Sequence, residues 1–298
     1  MAANTRDIRR RIKSIKNTAQ ITKAMQMVAA SKMRKAQAAA LAGRPYAALL
    51  NKVLGSLSAV VSTEDASHEL LRKRPEGKEL VLLISTDKGL CGGLNTNLLR
   101  EAGKFDPEKT VFVAVGRKGM QYLVRSKRTV LAEFELKDNF TFLDSKAVSK
   151  FCMEKFISGD VNKVTVLFTD FVNTLSQVPR ARTILPVSQM SAESGVPPTT
   201  TTPGEIAQTG DPATEYLFEP DSTAVLNAIL PHFVHFRVYQ MVLDSRASEH
   251  SARMVAMKSA TDNAKQLIKD LTLEYNKVRQ ASITTELLEI STAQMVLG

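Results

Sequence analysis

Nine residues, Ser85-Thr86-Asp87-Lys88-Gly89-Leu90-Cys91-Gly92-Gly93, bring hydroxyls, a carboxylate, an ammonium, a thiol and three glycines together. A glycine-rich turn after a strand is where a backbone cradles phosphate, and this one follows the apolar run Glu79 to Ser85. The spacing does not fit. A Walker loop places Lys and a hydroxyl after its second glycine, whereas Gly93 is followed by Leu94 and Asn95, and the dinucleotide pattern G-x-G-x-x-G is also missing. The other reading of the stretch is a tight strand-to-helix turn that needs glycine. Cys91 beside Lys88 and a helix start would have a lowered pKa, as a thiolate nucleophile requires. Its base is missing, because His68, His232, His235 and His250 are all distant in sequence. Asp160, Asp170 and Asp221 form no spaced carboxylate pair, and Cys91 and Cys152 have no neighbouring ligands for zinc or partners for a disulfide framework. The expectation is a chain with no catalytic residue, no cofactor and no metal of its own.

The elements around that stretch alternate. Glu79–Ser85, Thr110–Val115, Thr129–Phe134 and Lys163–Thr169 are short runs with nearly continuous apolar character, the mark of parallel strands covered on both faces. Helical stretches fall between them at Gly92–Ala102, Arg117–Ser126 and Ser145–Ile157, and Ala181–Val187 offers an edge strand. Repeated βαβ units predict a Rossmann-like, doubly wound α/β domain. Residues 194–211, rich in Pro, Thr and Gly, read as a loop.

Both ends are long helices. Asn4 to Ala42 has no Gly or Pro, and Ile8, Ile12, Ile15, Ala19, Thr22, Gln26, Ala29, Met33, Ala36 and Ala40 alternate spacings of four and three, a coiled-coil period. Gly43 and Pro45 interrupt it, after which Leu49 to Val61 can continue the helix. His232 to Leu297 also lacks Gly and Pro, and at 1.5 Å per residue it would reach roughly 100 Å, more than one domain of this size can bury. The two helices are therefore expected to pack antiparallel on each other or on a partner. Val238, Ser245, Ala252, Ser259, Gln266, Leu273, Gln280, Leu287 and Gln294 read as the seam of the second helix, more polar than a stable dimer would use. Such a seam makes either a weak hairpin or a slim shaft that moves past its neighbours without sticking. The expected division is residues 1–60 as the first shaft helix, 75–195 as the inserted α/β domain, 196–218 as a loop or foot, and 219–298 as the second shaft helix.

Composition narrows the partners. The 298 residues carry a net +10, with 44% hydrophobic and 23% charged residues, so the chain folds. Residues 1–40 hold ten basic side chains against Asp7 and thus carry +9, while residues 244–289 balance seven against seven. A basic segment suits nucleic acid, anionic lipid or an acidic protein loop, or is a solvated helix face. Nucleic acid would ask for basic residues on both rods, and an aromatic share of 6% with no Trp is low for reading bases by stacking. A small α/β enzyme would have no use for rods of such length. The longest aliphatic run, Leu80 to Ile84, is far too short to span a bilayer.

Four strings carry a resemblance: ITKAMQMVAASKMRK from Ile21, GLCGGLNTN from Gly89, YLFEPD from Tyr216, and ARMVAMKSATDNAKQLIKDLTLEYNKVRQASITTELLEI from Ala252. In order and over the whole chain they resemble the gamma-subunit family of the rotary F-type ATP synthases, in its bacterial form. The resemblance implies a central stalk. Its paired helices would be a rotor shaft inside three alpha and three beta subunits, and its α/β domain with adjacent loops a foot on the membrane c-ring beside epsilon. Catalysis would belong to beta, and the chain would be a peripheral membrane protein on the cytoplasmic face of the inner membrane. Residue by residue, the resemblance implies that Lys23 and Met25 lie near beta and that Lys88 and Cys91 face an acidic beta loop. It likewise implies that Arg279, Gln280, Thr284 and Glu286 make polar contacts with beta, and that Tyr216, Phe218 and Glu219 touch the c-ring. The family ends in a Gly-Ala-rich turn, where this chain has Ser291-Thr292-Ala293-Gln294.

Overall fold

The structure is a computed structural model that describes residues 5–60, 68–138, 140–187, 219 and 221–297. In chain order its elements are α1 (Thr5–Val60), a short 3-10 turn (Glu69–Leu71), β1 (Lys78–Ile84), α2 (Leu94–Ala102), β2 (Thr110–Val115) and α3 (Arg117–Arg125), followed by β3 (Val130–Phe134), α4 (Phe142–Ile157), β4 (Val161–Phe171), β5 (Gln177–Leu185) and α5 (Ser222–Leu297). The chain divides into two compact units, one of residues 1–30 with 253–298 and one of residues 31–252.

The larger unit is built on a five-stranded sheet in the order β3-β2-β1-β4-β5. Its first four strands are mutually parallel, and the expected edge strand is β5, which begins earlier than its apolar run and lies antiparallel to β4. The reason for the early start is a tight turn. Asn173 Oδ1 accepts from the backbone N–H groups of Leu175 and Ser176, folding β4 straight into β5 without a helix. Alternation along each central strand serves two faces. Val81, Leu83, Phe112, Ala114 and Leu167 meet Leu98 and Ala102 of α2 and Leu123 of α3. Leu80, Leu82, Ile84, Val113, Val164 and Val166 belong to the core on the opposite face, with Val148, Cys152 and Phe156 of α4 and Val234, Val238 and Val242 of α5. Two covered faces explain why those strands are apolar throughout. The capping box of Thr141 and Asp144 starts α4 at Phe142, ahead of the expected Ser145.

Prolines lie inside both long helices. Pro45 and Pro231 each remove an N–H and crowd the preceding turn, at about 3 kcal/mol apiece. Packing outweighs that cost. Beyond Pro45, Leu50 is buried and Ala47, Val53 and Leu54 lie against the core, while Leu226 and Leu230 are buried ahead of Pro231. Thus α1 runs through Gly43 and Pro45, and α5 begins at Ser222, ten residues before the Gly- and Pro-free stretch that starts at His232. Gly43 allows the close approach of α1 to α5 here, since a Cβ would lie 2.1 Å from Gln240 Nε2.

In the smaller unit two contacts set the pairing. Thr22 Oγ1 and Thr261 Oγ1 are 2.7 Å apart, and Arg9 Nη2 donates to Tyr275 Oη at 2.6 Å. That is an antiparallel register, with Ile12 level with Leu271, Ile15 with Ile268 and Ala19 with Ala264. Every α1 residue of the expected repeat is buried or half-buried. For α5 the expectation is corrected: Ser259, Gln266, Leu273, Gln280, Leu287 and Gln294 are exposed, and the seam runs through Met257, Thr261, Ala264, Ile268, Leu271, Tyr275 and Val278. Both phases step by seven. The more apolar one is buried because burial removes more apolar surface from water.

Candidate functional site

In doubly wound sheets ligands sit beyond the carboxyl ends of the strands where the strand order reverses, here between β1 and β4. In this chain α5 fills those strand ends. Arg246 Nη2 donates to Asp87 Oδ2 at 3.3 Å in the loop after β1, and to the Leu136 carbonyl at 2.6 Å. Ser248 Oγ donates to the Thr169 carbonyl at the end of β4, at 3.1 Å. Burial pushes the Arg246 guanidinium down, but Glu249 and Asp87 outweigh it and hold the group charged, above its usual range. The start of α3 is satisfied here as well. Its Gly119 N–H donates to Ser85 Oγ at 2.7 Å, and the Arg117 N–H to Asp87 Oδ1 at 3.2 Å. Gly116, with φ +93°, brings its backbone so close to Ser85 that a Cβ would lie 2.3 Å from the Ser85 carbonyl.

The stretch that suggested chemistry is a turn locked by its own side chains. Asn95 Nδ2 donates to Thr86 Oγ1 at 2.7 Å and to Cys91 Sγ at 3.4 Å, and Thr86 Oγ1 donates to the Lys88 carbonyl at 2.8 Å. Cys91 is buried, so of the expected pair Lys88 and Cys91 only Lys88 is at the surface, beside Leu90. Cys152 is fully buried, its thiol pushed up to about 12 by loss of solvent. Among the described residues no group of three His, Cys, Asp or Glu is placed to hold a metal ion, and no helix is long and apolar enough to cross a membrane.

The remaining expected residues lie on the long helices. Lys23 is exposed, with Nζ 3.4 Å from Gln26 Oε1, and Met25 is half-buried. Of the other basic residues of α1, Lys32 is bound within the larger unit, donating to Asp138 Oδ2 at 2.5 Å. That bond holds the Asp138 carboxyl below the usual range. Arg279, Gln280, Thr284 and Glu286 share one stretch of α5, and all are exposed. Glu219 is exposed, while Tyr216 and Phe218 lie outside the described residues.

The pairing register shows how far α5 outruns the described part of α1. Val278 stands level with Thr5, so residues 279–297 extend past the described start of α1. Every residue from Arg279 to Met295 is exposed, including Ile283 (48%), Leu287 (61%), Leu288 (61%), Ile290 (60%) and Met295 (79%). Ile283, Leu287 and Ile290 step by four and three and line one stripe of the helix. A lone helix of this length is marginal in water, and an apolar stripe on it marks a surface for a partner. The signal available in sequence was the length difference between the two rods.

Comparison with known proteins meets this geometry. The family model described as ATP synthase matches residues 4–297. The ATP synthase gamma chain of Methylacidiphilum infernorum is 49% identical over 99% of this chain and 100% of its own length. That of Opitutus terrae is 50% identical over 98% of both chains. Among solved structures, the Tetrahymena thermophila mitochondrial ATP synthase central stalk and c-ring contains a chain that is 27% identical, with a TM-score of 0.59 over 80% of this chain and 99% of that one. A chain of the Euglena gracilis mitochondrial ATP synthase shares the fold at 19% identity, with a TM-score of 0.66 over 98% of this chain and 94% of its own. The exposed helix end, the filled strand ends and these likenesses along the whole chain agree: this chain belongs to the ATP synthase family as a gamma chain, the central-stalk subunit.

Proposed function

We propose that this chain is the rotor shaft of a proton-translocating F-type ATP synthase, turned by a membrane c-ring and driving changes of nucleotide affinity in catalytic beta subunits. The observation that carries the reading is the apolar end of α5, from Ile283 to Met295, exposed and beyond the reach of α1. Three alpha and three beta subunits supply the sleeve that covers it. In the same reading Lys23, Met25, Arg279, Gln280, Thr284 and Glu286 face beta during part of each turn, and Lys88 meets an acidic beta loop with Cys91 supporting that turn from beneath. Tyr216, Phe218 and Glu219 face the c-ring, and epsilon sits beside the α/β domain. The division into shaft helices at 1–60 and 219–298, an α/β domain at 75–195 and a foot at 196–218 belongs to this reading.

The mechanism is mechanical. A shaft with unlike faces favours a different conformation in each beta subunit, and its rotation moves that preference from one to the next. Each favoured state must gain differential contact energy. The polar residues from Arg279 to Glu286 supply directional contacts, and the apolar stripe supplies burial. The chain has no active site of its own in this account, because α5 and the Ser85 and Asp87 contacts fill the place where a doubly wound sheet would take a nucleotide. It acts as a peripheral subunit at the cytoplasmic face of the bacterial inner membrane. Affinity purification of the tagged chain from membranes, followed by mass spectrometry, tests the reading. Alpha, beta, epsilon and c subunits are expected together; recovery of nucleic acid in their place would overturn it.

A further inference from the structure

Seven consecutive residues of α5, Ser245 to Ser251, are buried all round, none more than 6% exposed. A helix hydrophobic on every side is an ordinary buried helix. Here six of the seven are polar: Ser245, Arg246, Ser248, Glu249, His250 and Ser251. Three of the six bond outside the helix. Arg246 donates to Asp87 and to the Leu136 carbonyl, Ser248 to the Thr169 carbonyl and Ser251 to the Thr174 carbonyl at 2.8 Å. Within α5, Glu249 holds Arg246 Nη1 at 2.9 Å.

Farther along α5 the hydroxyls behave differently. Thr272, Thr284, Thr285 and Thr292 all turn back to a carbonyl of their own helix. At about 100° per residue, Ser248 lies roughly 200° and Ser251 roughly 140° around the helix from Arg246. The bonds therefore leave on nearly opposite sides. An apolar sleeve resists withdrawal but is indifferent to small rotations about the helix axis, because burial is non-directional. Hydrogen bonds weaken steeply with angle and so fix an azimuth.

We propose that residues 245–251 and their partners Asp87, Leu136, Thr169 and Thr174 form a polar collar that locks α5 against rotation within the α/β domain. Arg246, Ser248 and Ser251 are its positioning residues. The inference rests on the rotor reading and deepens it, placing the torsional attachment of the shaft to the α/β domain at a ring of directional bonds.

The test is the angular fluctuation of a probe attached at Lys109→Cys, an exposed position of the α/β domain, in complexes with the cognate alpha and beta chains paused by a non-hydrolysable nucleotide. Ser248→Ala with Ser251→Ala removes two of the four outward bonds named above and leaves every charge in place. Arg246→Met with Glu249→Gln removes the other two without leaving Glu249 charged. If the four bonds share the stiffness equally, each double variant raises the angular variance by up to about twofold. Ser259→Ala, exposed on the same helix, is expected to change nothing. Wider fluctuation in both doubles supports the collar, and wild-type variance in both, in complexes that assemble and rotate, overturns it. A wild-type chain that fails to assemble would instead contradict the rotor reading itself.

Discussion

Replacing the apolar stripe at the end of α5 with serine, as Ile283→Ser with Leu287→Ser and Ile290→Ser, removes what the account holds to be the seat of the shaft. These side chains are 48%, 61% and 60% exposed in the isolated chain. Full burial of an Ile or Leu stabilises by about 1.5–3 kcal/mol, so covering the exposed half contributes about 0.7–1.7 kcal/mol each. Three of them supply roughly 2–4 kcal/mol after some loss to ordering of the tip, or about a 30- to 1,000-fold change in affinity. The isolated chain should lose little, because those surfaces already face water. Circular dichroism of the variant should match wild type apart from slight fraying, since serine is a weaker helix former than leucine. The assay is titration of fluorescently labelled chain with a preassembled ring of alpha and beta chains. Binding of the triple variant at wild-type affinity would refute the reasoning, because the stripe would then be solvated in the complex too.

Three further outcomes are expected. Arg279→Leu should leave the chain folded but slow multisite ATP hydrolysis in the assembled complex, because an exposed arginine beyond the paired register is free to make a desolvated, charge-assisted contact worth roughly 1.5–3 kcal/mol; steady-state turnover at wild-type level would show a merely solvated side chain. His235 is held near pKa 4 by burial, with Lys146 and His232 adding to the effect, and shares a 2.6 Å hydrogen bond with Ser149. Its folded pKa lies below the unfolded value of 6.5, so the unfolded chain binds the extra proton and stability drops as pH falls from 6.5 towards 4. Urea unfolding at several pH values should show a shallower acid loss in His235→Asn, and parallel slopes would contradict that assignment. Gly116→Ala forces a side chain into a left-handed conformation against the Ser85 carbonyl, and should cost about 2–5 kcal/mol, lowering the melting temperature by several degrees as read by calorimetry.

How much was legible in sequence depended on the range of the interaction. The strands of the α/β domain were readable because burial on both faces leaves continuous apolar runs, and Thr110–Val115 falls on the observed bounds of β2. The seam of α1 was readable because one phase of its repeat is plainly the apolar one. In α5 two phases compete, and choosing between them needs the partner helix: Thr22 against Thr261 and Arg9 against Tyr275 fix the register. Pro45 interrupts the sequence pattern of the first rod because proline lacks the helical N–H, and the packing of Leu50 outweighs that, as the packing of Leu226 and Leu230 does at Pro231. Of the expected contact residues, Lys88 and Arg279 to Glu286 lie at the surface, but the inward turn of Cys91 is a matter of how the loop folds on Asn95 and Thr86. The collar had no sequence signature, because Ser248, Glu249 and Ser251 on a long helix look like a solvated face until the elements around them are in place.

The most direct measurement is single-molecule rotation. With alpha and beta chains fixed to a surface and a probe at Lys109→Cys, added ATP should turn the probe stepwise in one direction. Truncation after Val278, which deletes the exposed end of α5, should weaken or abolish that turning while the chain remains folded. ATP hydrolysis by a complete complex whose probe stays still would contradict the account, because the chain would then be a static spacer.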